Sequence, residues 1–171
     1  MALKTAAPGV LHKSDVGGVK LSLHSAAAVR TAYDDVASRL GRDVLIGEMI
    51  DMEGIEVALG IVNDSQVGPI LIISAGGVMI ELLDDSASLL CPVSEEEFID
   101  ALAGLKIYRM LSGFRGKPAG DLASLAKVAV NLSHLAVAAK DIISEVDINP
   151  ILVGQSSCVA LDALIRKKTT R

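Results

Sequence analysis

Residues 143–165 read ISEVDINPILVGQSSCVALDALI, the pattern of a β-hairpin close to the end of the chain. Segments rich in aliphatic and β-branched residues stand on both sides of the polar turn Gly154-Gln155-Ser156-Ser157. Such a turn between two apolar segments predicts two antiparallel strands. The predicted strands are 143–153 and 158–165.

The polar residues of this hairpin suit a metal ion. Side chains alternate along a strand, so Glu145, Asp147 and Asn149 are predicted on one face. A turn centred on Gln155-Ser156 places Asn149 opposite Asp162, and carboxylate and amide oxygens are ligands that Mg²⁺ accepts. The alternative is a solvated polar face of an edge hairpin, and a bulge at the following proline would shift the register.

The rest of the chain predicts helices that alternate with further strands. Apolar residues at helical spacing, and a capping box of Ser94 with Glu97, predict the helices. They are Ser25–Leu40, a helix from Ser94 to about Leu105, a short one to Leu111, and Asp121–Lys140. Further strands are predicted at 19–23, 43–50, 55–62, 69–74, 78–83 and 87–90, with 43–50 and 55–62 joined as a hairpin and 69–74 covered on both faces. Hairpins with segregated helices predict an α+β fold, layered, with a largely antiparallel sheet.

Composition narrows the function classes. The chain has 171 residues, of which 51% are hydrophobic, 22% charged and 2% aromatic, and its formal net charge is −5. These values exclude a disordered chain and disfavour a general nucleic-acid binder. No apolar run reaches the ~18 residues of a membrane helix. Two cysteines predict neither a disulfide framework nor a metal set, so a cytoplasmic protein without a membrane or nucleic-acid partner is expected.

A second candidate site is the loop 11–18, which reads LHKSDVGG. The glycine pair Gly17-Gly18 lets the backbone approach a ligand, and Lys4 and Lys13 can offset phosphate charge. His12 can carry a phosphoryl group covalently. The alternative is an ordinary glycine turn with a solvated histidine.

Other polar positions have weaker signals. Glu48 and Glu56 lie in the predicted middle hairpin, where carboxylates can accept hydrogen bonds from ribose or adenine, or simply face solvent. Gly76-Gly77 can receive an anion or turn the chain. Arg115, in the stretch Gly113-Phe114-Arg115-Gly116, can bind phosphate or be a surface arginine.

Together these segments resemble the ATP-grasp part of NDP-forming acyl-CoA synthetases, relatives of succinyl-CoA synthetase. The resemblance covers nearly the whole chain in order and implies the C-terminal subdomain of an ATP-grasp fold. The matching stretches are Ala2-Leu3-Lys4, His12-Lys13-Ser14-Asp15-Val16-Gly17-Gly18-Val19, Gly54-Ile55-Glu56, Gly68-Pro69, Gly76-Gly77, Gly113-Phe114-Arg115-Gly116, Glu145-Val146-Asp147-Ile148-Asn149-Pro150 and Ala160-Leu161-Asp162-Ala163. The His12–Val19 and Glu145–Pro150 stretches are the specific ones.

The resemblance implies an acid–thiol ligase of the ADP-forming acetyl-CoA synthetase type. Such enzymes interconvert acyl-CoA, phosphate and NDP with free acid, CoA and NTP through a phosphohistidine, with ATP/ADP or GTP/GDP and Mg²⁺ as cofactors. By match, His12 is a second phosphoryl carrier and Asp147 steadies the incoming phosphohistidine. The implied nucleotide-binding residues are Lys4, His12, Lys13, Ser14, Glu48, Asp51 and Glu56, and the implied metal ligands are Asn149 and Asp162.

The resemblance also predicts partners. The family has a further ATP-grasp segment before the strand of Lys4, so residues 1–171 are expected to be an ATP-grasp domain that lacks its N-terminal segment. The expected partners are that segment and a CoA-binding domain or subunit with a phosphohistidine, in an oligomer. Two alternatives stay open: a regulatory ATP-grasp-like module of a protein acyltransferase, and a non-catalytic assembly subunit. The presence of His12 favours the enzyme.

Overall fold

The structure is a computed structural model that describes residues 1–10 and 13–168. The chain divides into two compact units, Met1–Asp51 and Met52–Arg171, each built on its own sheet. The strand pairs of the described residues are antiparallel, which confirms the predicted α+β class. Within those ranges, no helix has the length and apolar character that crossing a membrane requires.

The first unit consists of a three-stranded sheet and one helix. Its elements are β1 (Ala2–Thr5), β2 (Val19–Lys20), α1 (Ala26–Leu40) and β3 (Val44–Gly47). Strand β1 lies in the centre, between β2 and β3. Helix α1 begins where predicted because the Ser25 side chain accepts a hydrogen bond from the backbone N–H of Ala28 at 3.1 Å.

The core of the first unit is small. Leu3 of β1 is fully buried and packs with Ala32 and Val36 of α1. Leu3 and Thr5 are buried while Lys4 between them is half-buried, as expected from the alternation of side chains along a strand. Helix α1 therefore covers one face of β1 and leaves Lys4 on the other.

The second unit has a six-stranded sheet. Its elements are β4 (Ile55–Asp64), β5 (Gly68–Ala75), α2 (Met79–Leu83), β6 (Ser86–Leu90), α3 (Glu95–Ala103), α4 (Tyr108–Leu111), α5 (Leu122–Ala138), β7 (Ile143–Val153), β8 (Cys158–Ala160) and β9 (Ala163–Lys167). The strand order is β6-β5-β4-β7-β8, and β9 also pairs with β7. Helix α3 begins at the predicted capping box of Ser94 and Glu97. The Asp121 carboxylate caps α5, accepting a hydrogen bond from the Ser124 N–H at 2.9 Å.

The main hydrophobic core lies between this sheet and helices α3 and α5. Alternate residues of β4 and β5, such as Leu59 and Ile73, are fully buried against Phe98 of α3 and Leu125 of α5. Burying one such side chain contributes about 1.5–3 kcal/mol. A one-residue slip of either strand would turn these side chains to the other face, so the core fixes the register.

Both cysteines contribute to this core. Cys91 and Cys158 are free thiols, half-buried and packed against the buried cluster. Burial raises the pKa of each thiol. Because the thiolate is the reactive form, the two side chains behave as small apolar residues at neutral pH.

The C-terminal hairpin has the predicted register. Ile151 of β7 lies opposite Ala160 of β8, which centres the turn on Gln155-Ser156. Ile148 lies opposite Ala163 of β9, in the same register. The predicted strand 158–165 is therefore correctly aligned, but it is split into β8 and β9 by two residues that leave the ladder.

The predicted hairpin between residues 43–50 and 55–62 is wrong. Strand β3 pairs with β1 in the first unit, whereas β4 pairs with β5 and β7 in the second. The Asp64 carboxylate closes the turn from β4 to β5 by accepting hydrogen bonds from the backbone N–H groups of Gln66 and Val67 at 2.8 and 3.0 Å. These bonds lower the pKa of Asp64. This tight turn lets β4 pair with β5, the strand that directly follows it, rather than with residues 43–50.

The predicted strand over residues 78–83 is also wrong, because Met79–Leu83 form helix α2. Strand β5 ends at Ala75, and Gly77 then adopts a left-handed backbone conformation with φ of 54°. Glycine enters this region without steric cost and turns the chain out of the sheet. Met79 and Leu83 of this helix pack against the core, whereas Ile80 and Leu82 are exposed, Leu82 by 74%.

Two other predicted strands differ from the observed ones, the first in its length and the second in how many of its faces are buried. The strand predicted at 19–23 is limited to Val19–Lys20, since Ser22 has a φ of 55° and breaks it. The run 69–74 lies in β5 but is fully buried on only one face, because α3 and α5 both pack against that face.

Replacing Phe98 with alanine should destabilise the second unit by about 3–5 kcal/mol, since a fully buried ring leaves a cavity. The matched control is Phe114→Ala, at the only other phenylalanine, which is 43% exposed and should cost about 1 kcal/mol or less. Urea unfolding followed by circular dichroism measures both. Equal losses for the two variants would contradict the assignment of the core.

Candidate nucleotide and metal site

Asn149 and Asp162 lie level with each other at the break in the C-terminal hairpin. Two residues on each side separate the ladder of β8 from that of β9. They are Asn149 and Pro150 on β7, and Leu161 and Asp162 opposite them. A hydrogen bond from the Leu161 N–H to the Pro150 carbonyl, at 2.9 Å, bridges the break. On the opposite edge of β7, the same Asn149-Pro150 pair forms a bulge against Ala58 of β4.

The bulge changes which residues of β7 face the core. Val146 and Ile148 pack into the core before it, and Ile151 and Val153 do so after it. A regular strand would place Ile151 on the same face as Asp147, which is exposed. The bulge therefore keeps Asp147 exposed while Ile151 and Val153 face the core.

The loop after β5 holds the Asn149 side chain. Asn149 Oδ1 accepts a hydrogen bond from the Gly77 N–H at 3.0 Å, and the Gly76 N–H donates to the Glu56 carbonyl at 2.9 Å. A side chain at Gly77 would collide with the Glu56 carboxylate, and a Cβ at Gly76 would come within 2.8 Å of the Val57 carbonyl carbon. Only glycine permits these approaches, which bring Glu56 and Asn149 to the same loop.

The oxygen donors of this hairpin fit a magnesium ion shared with phosphate groups. Mg²⁺ uses one or two carboxylates and completes its shell with water and substrate phosphates. The described part of the chain contains no cluster of three His, Cys, Asp or Glu side chains that would hold a metal unaided. Asn149 Oδ1 bonds Gly77 through one lone pair and has a second, and Asp162 supplies a carboxylate on the facing strand.

In the first unit, the loop Lys13–Gly18 folds back onto the strand that carries Lys4. The Gly18 carbonyl accepts a hydrogen bond from the Thr5 N–H at 2.7 Å. A Cβ at Gly18 would lie 2.6 Å from the Thr5 methyl group, so this close approach requires glycine. His12, the predicted phosphoryl carrier, lies outside the described residues.

Arg39 of α1 anchors the end of this loop, a role that sequence reasoning missed. Its Nη1 and Nη2 donate to the carbonyls of Val16 and Gly17 at 3.0 and 3.2 Å. Its Nε and Nη2 also donate to the two carboxylate oxygens of Asp35 at 3.2 and 3.0 Å, and Lys20 pairs with Asp35 at 2.8 Å. Arg39 first, then Lys20, lowers the pKa of Asp35 to about 2. The one sequence signal was an acid and a base four residues apart on a helix.

The predicted carboxylates of the nucleotide site do not share a hairpin. Strand β3 ends at Gly47, so Glu48 and Asp51 follow it and are exposed, whereas Glu56 is the second residue of β4. Of the described candidates, the first unit carries Lys4, Lys13, Ser14, Glu48 and Asp51, and the second carries Glu56, Asp147, Asn149 and Asp162.

Comparison with known proteins decides the family. A family model described as an ATP-grasp domain matches residues 1–166. The chain belongs to the ATP-grasp family. This ATP-grasp domain is 30% identical over 171 residues to the acetate–CoA ligase (ADP-forming) I subunit beta of Pyrococcus furiosus, covering 95% of this chain and 73% of the relative. It is 33% identical over 175 residues to the 4-hydroxybutyrate–CoA ligase (ADP-forming) of Nitrosopumilus maritimus, covering 96% of this chain and 25% of the relative.

Solved structures share the fold. A dinucleotide forming acetyl-coenzyme A synthetase 1 of Ca. Korarchaeum cryptofilum, in complex with coenzyme A, Ca-AMPCP and HgCl+, matches with a TM-score of 0.90 and 31% identity over 98% of this chain and 76% of that chain. A Se-Met derivative of that synthetase, with coenzyme A and Mg-AMPPCP, has its phosphohistidine segment pointing towards the nucleotide binding site. It matches with a TM-score of 0.85 and 30% identity over 98% of this chain and 76% of that chain. These matches confirm the predicted ATP-grasp fold. The domain spans about three quarters of the beta subunit and a quarter of the longer ligase.

Replacing Arg39 with glutamine should loosen the Lys13–Gly18 loop of this ATP-grasp domain. Two hydrogen bonds to loop carbonyls and the ion pair with Asp35 are lost, so amide hydrogen exchange of the loop should become about tenfold faster. Arg30→Gln is the matched control, because Arg30 also lies on α1 and is exposed. Exchange that rises equally in both variants would refute the anchoring role of Arg39.

Proposed function

We propose that this chain is the nucleotide-binding part of an NDP-forming acyl-CoA synthetase. The complete enzyme interconverts acyl-CoA, phosphate and NDP with free acid, CoA and NTP. The observation that carries the proposal is the position of Asn149 opposite Asp162, because it joins two oxygen donors in one hairpin of an ATP-grasp fold. Identities of 30% and 33% to ADP-forming CoA ligases support the reaction class.

The step assigned to this chain is phosphoryl transfer between a phosphohistidine and the nucleotide. The N–P bond of the phosphohistidine breaks, and a terminal oxygen of NDP forms the new O–P bond of NTP. The transferred group carries charge on its oxygens throughout, so positioning and charge neutralisation dominate catalysis. Mg²⁺ held by Asn149 and Asp162 would supply positive charge that neutralises the charge on the phosphate groups.

The proposed roles follow the chemistry of each side chain. Lys4, Lys13 and the Ser14 hydroxyl bind phosphate oxygens, and the carboxylates of Glu48, Asp51 and Glu56 accept hydrogen bonds from ribose and base. Asn149 and Asp162 hold Mg²⁺, Asp147 steadies the incoming phosphohistidine, and His12 is a second phosphoryl carrier. The hydrogen bond from the Gly77 N–H to Asn149 Oδ1 fixes the orientation of the amide. The second lone pair of Oδ1 therefore keeps one direction and is available to the metal ion.

The proposed assembly contains more than this chain. We place the acid and CoA on a companion domain or subunit that bears the phosphohistidine, and complete the nucleotide site with an N-terminal ATP-grasp segment, in a cytoplasmic oligomer. The match to a subunit named beta, and coverage of 25% of a longer ligase, support such partners. ATP/ADP is the nucleotide pair proposed first, since the relatives are ADP-forming, with GTP/GDP as the alternative.

Asp162→Asn should weaken magnesium-dependent binding of ADP by about tenfold or more, because a charged ligand of the ion becomes neutral. Isothermal titration of the assembled enzyme with ADP, at several magnesium concentrations, measures this affinity. Asp141→Asn removes an exposed carboxylate just before β7 and should change nothing. If the magnesium dependence of ADP binding is the same in D162N and the unmodified protein, Asp162 is not a metal ligand.

His12→Ala should abolish phosphoryl exchange between nucleotide and the acyl-CoA half-reaction in the assembled enzyme, since the second carrier is lost. Acid-labile phosphate labelling measures the exchange. The sequence predicts His12 on a loop, where a substitution changes stability by only ~0.5 kcal/mol, and a melting curve checks this. His24→Ala, at an exposed histidine before α1, is the control. Exchange at the unmodified rate in H12A would show that His12 is not a phosphoryl carrier.

A further inference from the structure

Residues 101–120 concentrate positive charge in an acidic chain. They contain Lys106, Arg109, Arg115 and Lys117 and no acidic residue, whereas the whole chain has a net charge of −5. Lys106 is engaged, because its Nζ donates to a backbone carbonyl, that of Leu83, at 2.8 Å. The other three cations are exposed, and within the described ranges none of them has an ion pair.

Two of these cations share one exposed aromatic ring. The guanidinium carbons of Arg109 and Arg115 lie 5.7 and 5.2 Å from the centroid of the Phe114 ring. Phe114 is 43% exposed, whereas Phe98 is fully buried in the core. Cation–π attraction at exposed sites is worth about 0.5–1 kcal/mol per pair, enough to keep both guanidinium groups at the ring although they repel each other.

The backbone holds this cluster in one shape. Gly113, Arg115 and Gly116 have φ values of 94°, 50° and 80°, a left-handed conformation that costs a non-glycine residue about 1–2 kcal/mol. The Gly120 N–H donates to the carbonyl of buried Leu111 at 2.8 Å and closes the loop. A partner therefore meets side chains whose backbone is already ordered, which reduces the entropy lost on binding.

The composition of this cluster matches a protein interface. We call Arg109, Met110, Phe114, Arg115 and Lys117 the arginine surface. Arginine, methionine and aromatic residues are enriched at interfaces, and Met110 is 39% exposed. Small anions are bound in concave sites lined by buried groups, whereas all five of these side chains are exposed.

We propose that the arginine surface docks an acidic segment of the companion domain or subunit. This inference rests on the proposed function, because it names where that partner binds. Carboxylates supply the charge complementarity that two unpaired guanidinium groups require, and arginine accepts them with two parallel hydrogen bonds. The chain's own net charge of −5 makes a separate basic surface necessary for an acidic partner to approach.

The first test uses the full chain and a dye-labelled peptide of ten glutamates, followed by fluorescence anisotropy at low and physiological salt. The unmodified protein should bind the peptide more weakly as salt rises, and R109E/R115E should bind it at least tenfold more weakly than the unmodified protein. The control R30E/K127E makes the same change in net charge at exposed sites elsewhere and should bind normally. No binding by the unmodified protein, or equal loss in both variants, would overturn the proposal.

Two further measurements test whether the arginine surface binds something other than an acidic segment of the companion. Inorganic pyrophosphate that displaces the peptide at equal concentration would identify a small-anion site instead. Self-association in the ultracentrifuge that R109E/R115E abolishes would identify a second copy of this chain instead. Either result overturns the proposed partner.

The last test uses the assembled enzyme. R109E/R115E should weaken association with the companion at least tenfold, whereas the control R30E/K127E should associate normally. Association at the unmodified strength would refute the docking role. Failure of the unmodified assembled enzyme to bind ADP would instead refute the proposed function, so the two failures are distinguishable.

Discussion

The different pairing of β7 along its two edges is the constraint on which the second unit depends. Towards β4, Asn149 and Pro150 form a bulge with one extra residue, whereas towards β8 and β9 they face an equal number of residues. The bulge lets Ile151 and Val153 enter the core although Asp147 is exposed. Because these buried residues fix the register of β7, the position of Asn149 at the bulge is fixed as well.

Close backbone contacts at two glycines link β4, β5 and β7 at one place. Gly76 and Gly77 follow β5, contact Glu56 of β4 and hold Asn149 of β7. A site supported by strands of a packed sheet is more precise than one formed by loops alone. The same glycines end β5 and begin the turn to α2, so one local feature determines both the shape of the site and the change from strand to helix.

In the first unit, charged groups rather than apolar packing hold the candidate loop in place. Its buried cluster is only Leu3, Ala32 and Val36, so the loop Lys13–Gly18 receives little apolar support. Arg39 instead ties the loop carbonyls to Asp35. The Asp35 pKa of about 2, below its usual value of 3.8, means that the ion pair is complete above that usual value and is lost as pH falls through 2. The loop anchor is therefore insensitive to pH in the neutral range.

The sequence by itself determined the elements whose signals are local. Alternation and a four-residue turn predicted the register of the C-terminal hairpin, the capping box predicted the start of α3, and apolar spacing predicted α1 and α5. The fold family followed from ordered motifs along the chain. Only the tertiary structure decided that β3 and β4 belong to different sheets, that residues 79–83 form a helix, and that Gly77 and Arg39 support the candidate site. These features depend on contacts between residues far apart in the chain, and local periodicity carries no information about which distant partner a strand, a glycine or a guanidinium group will meet.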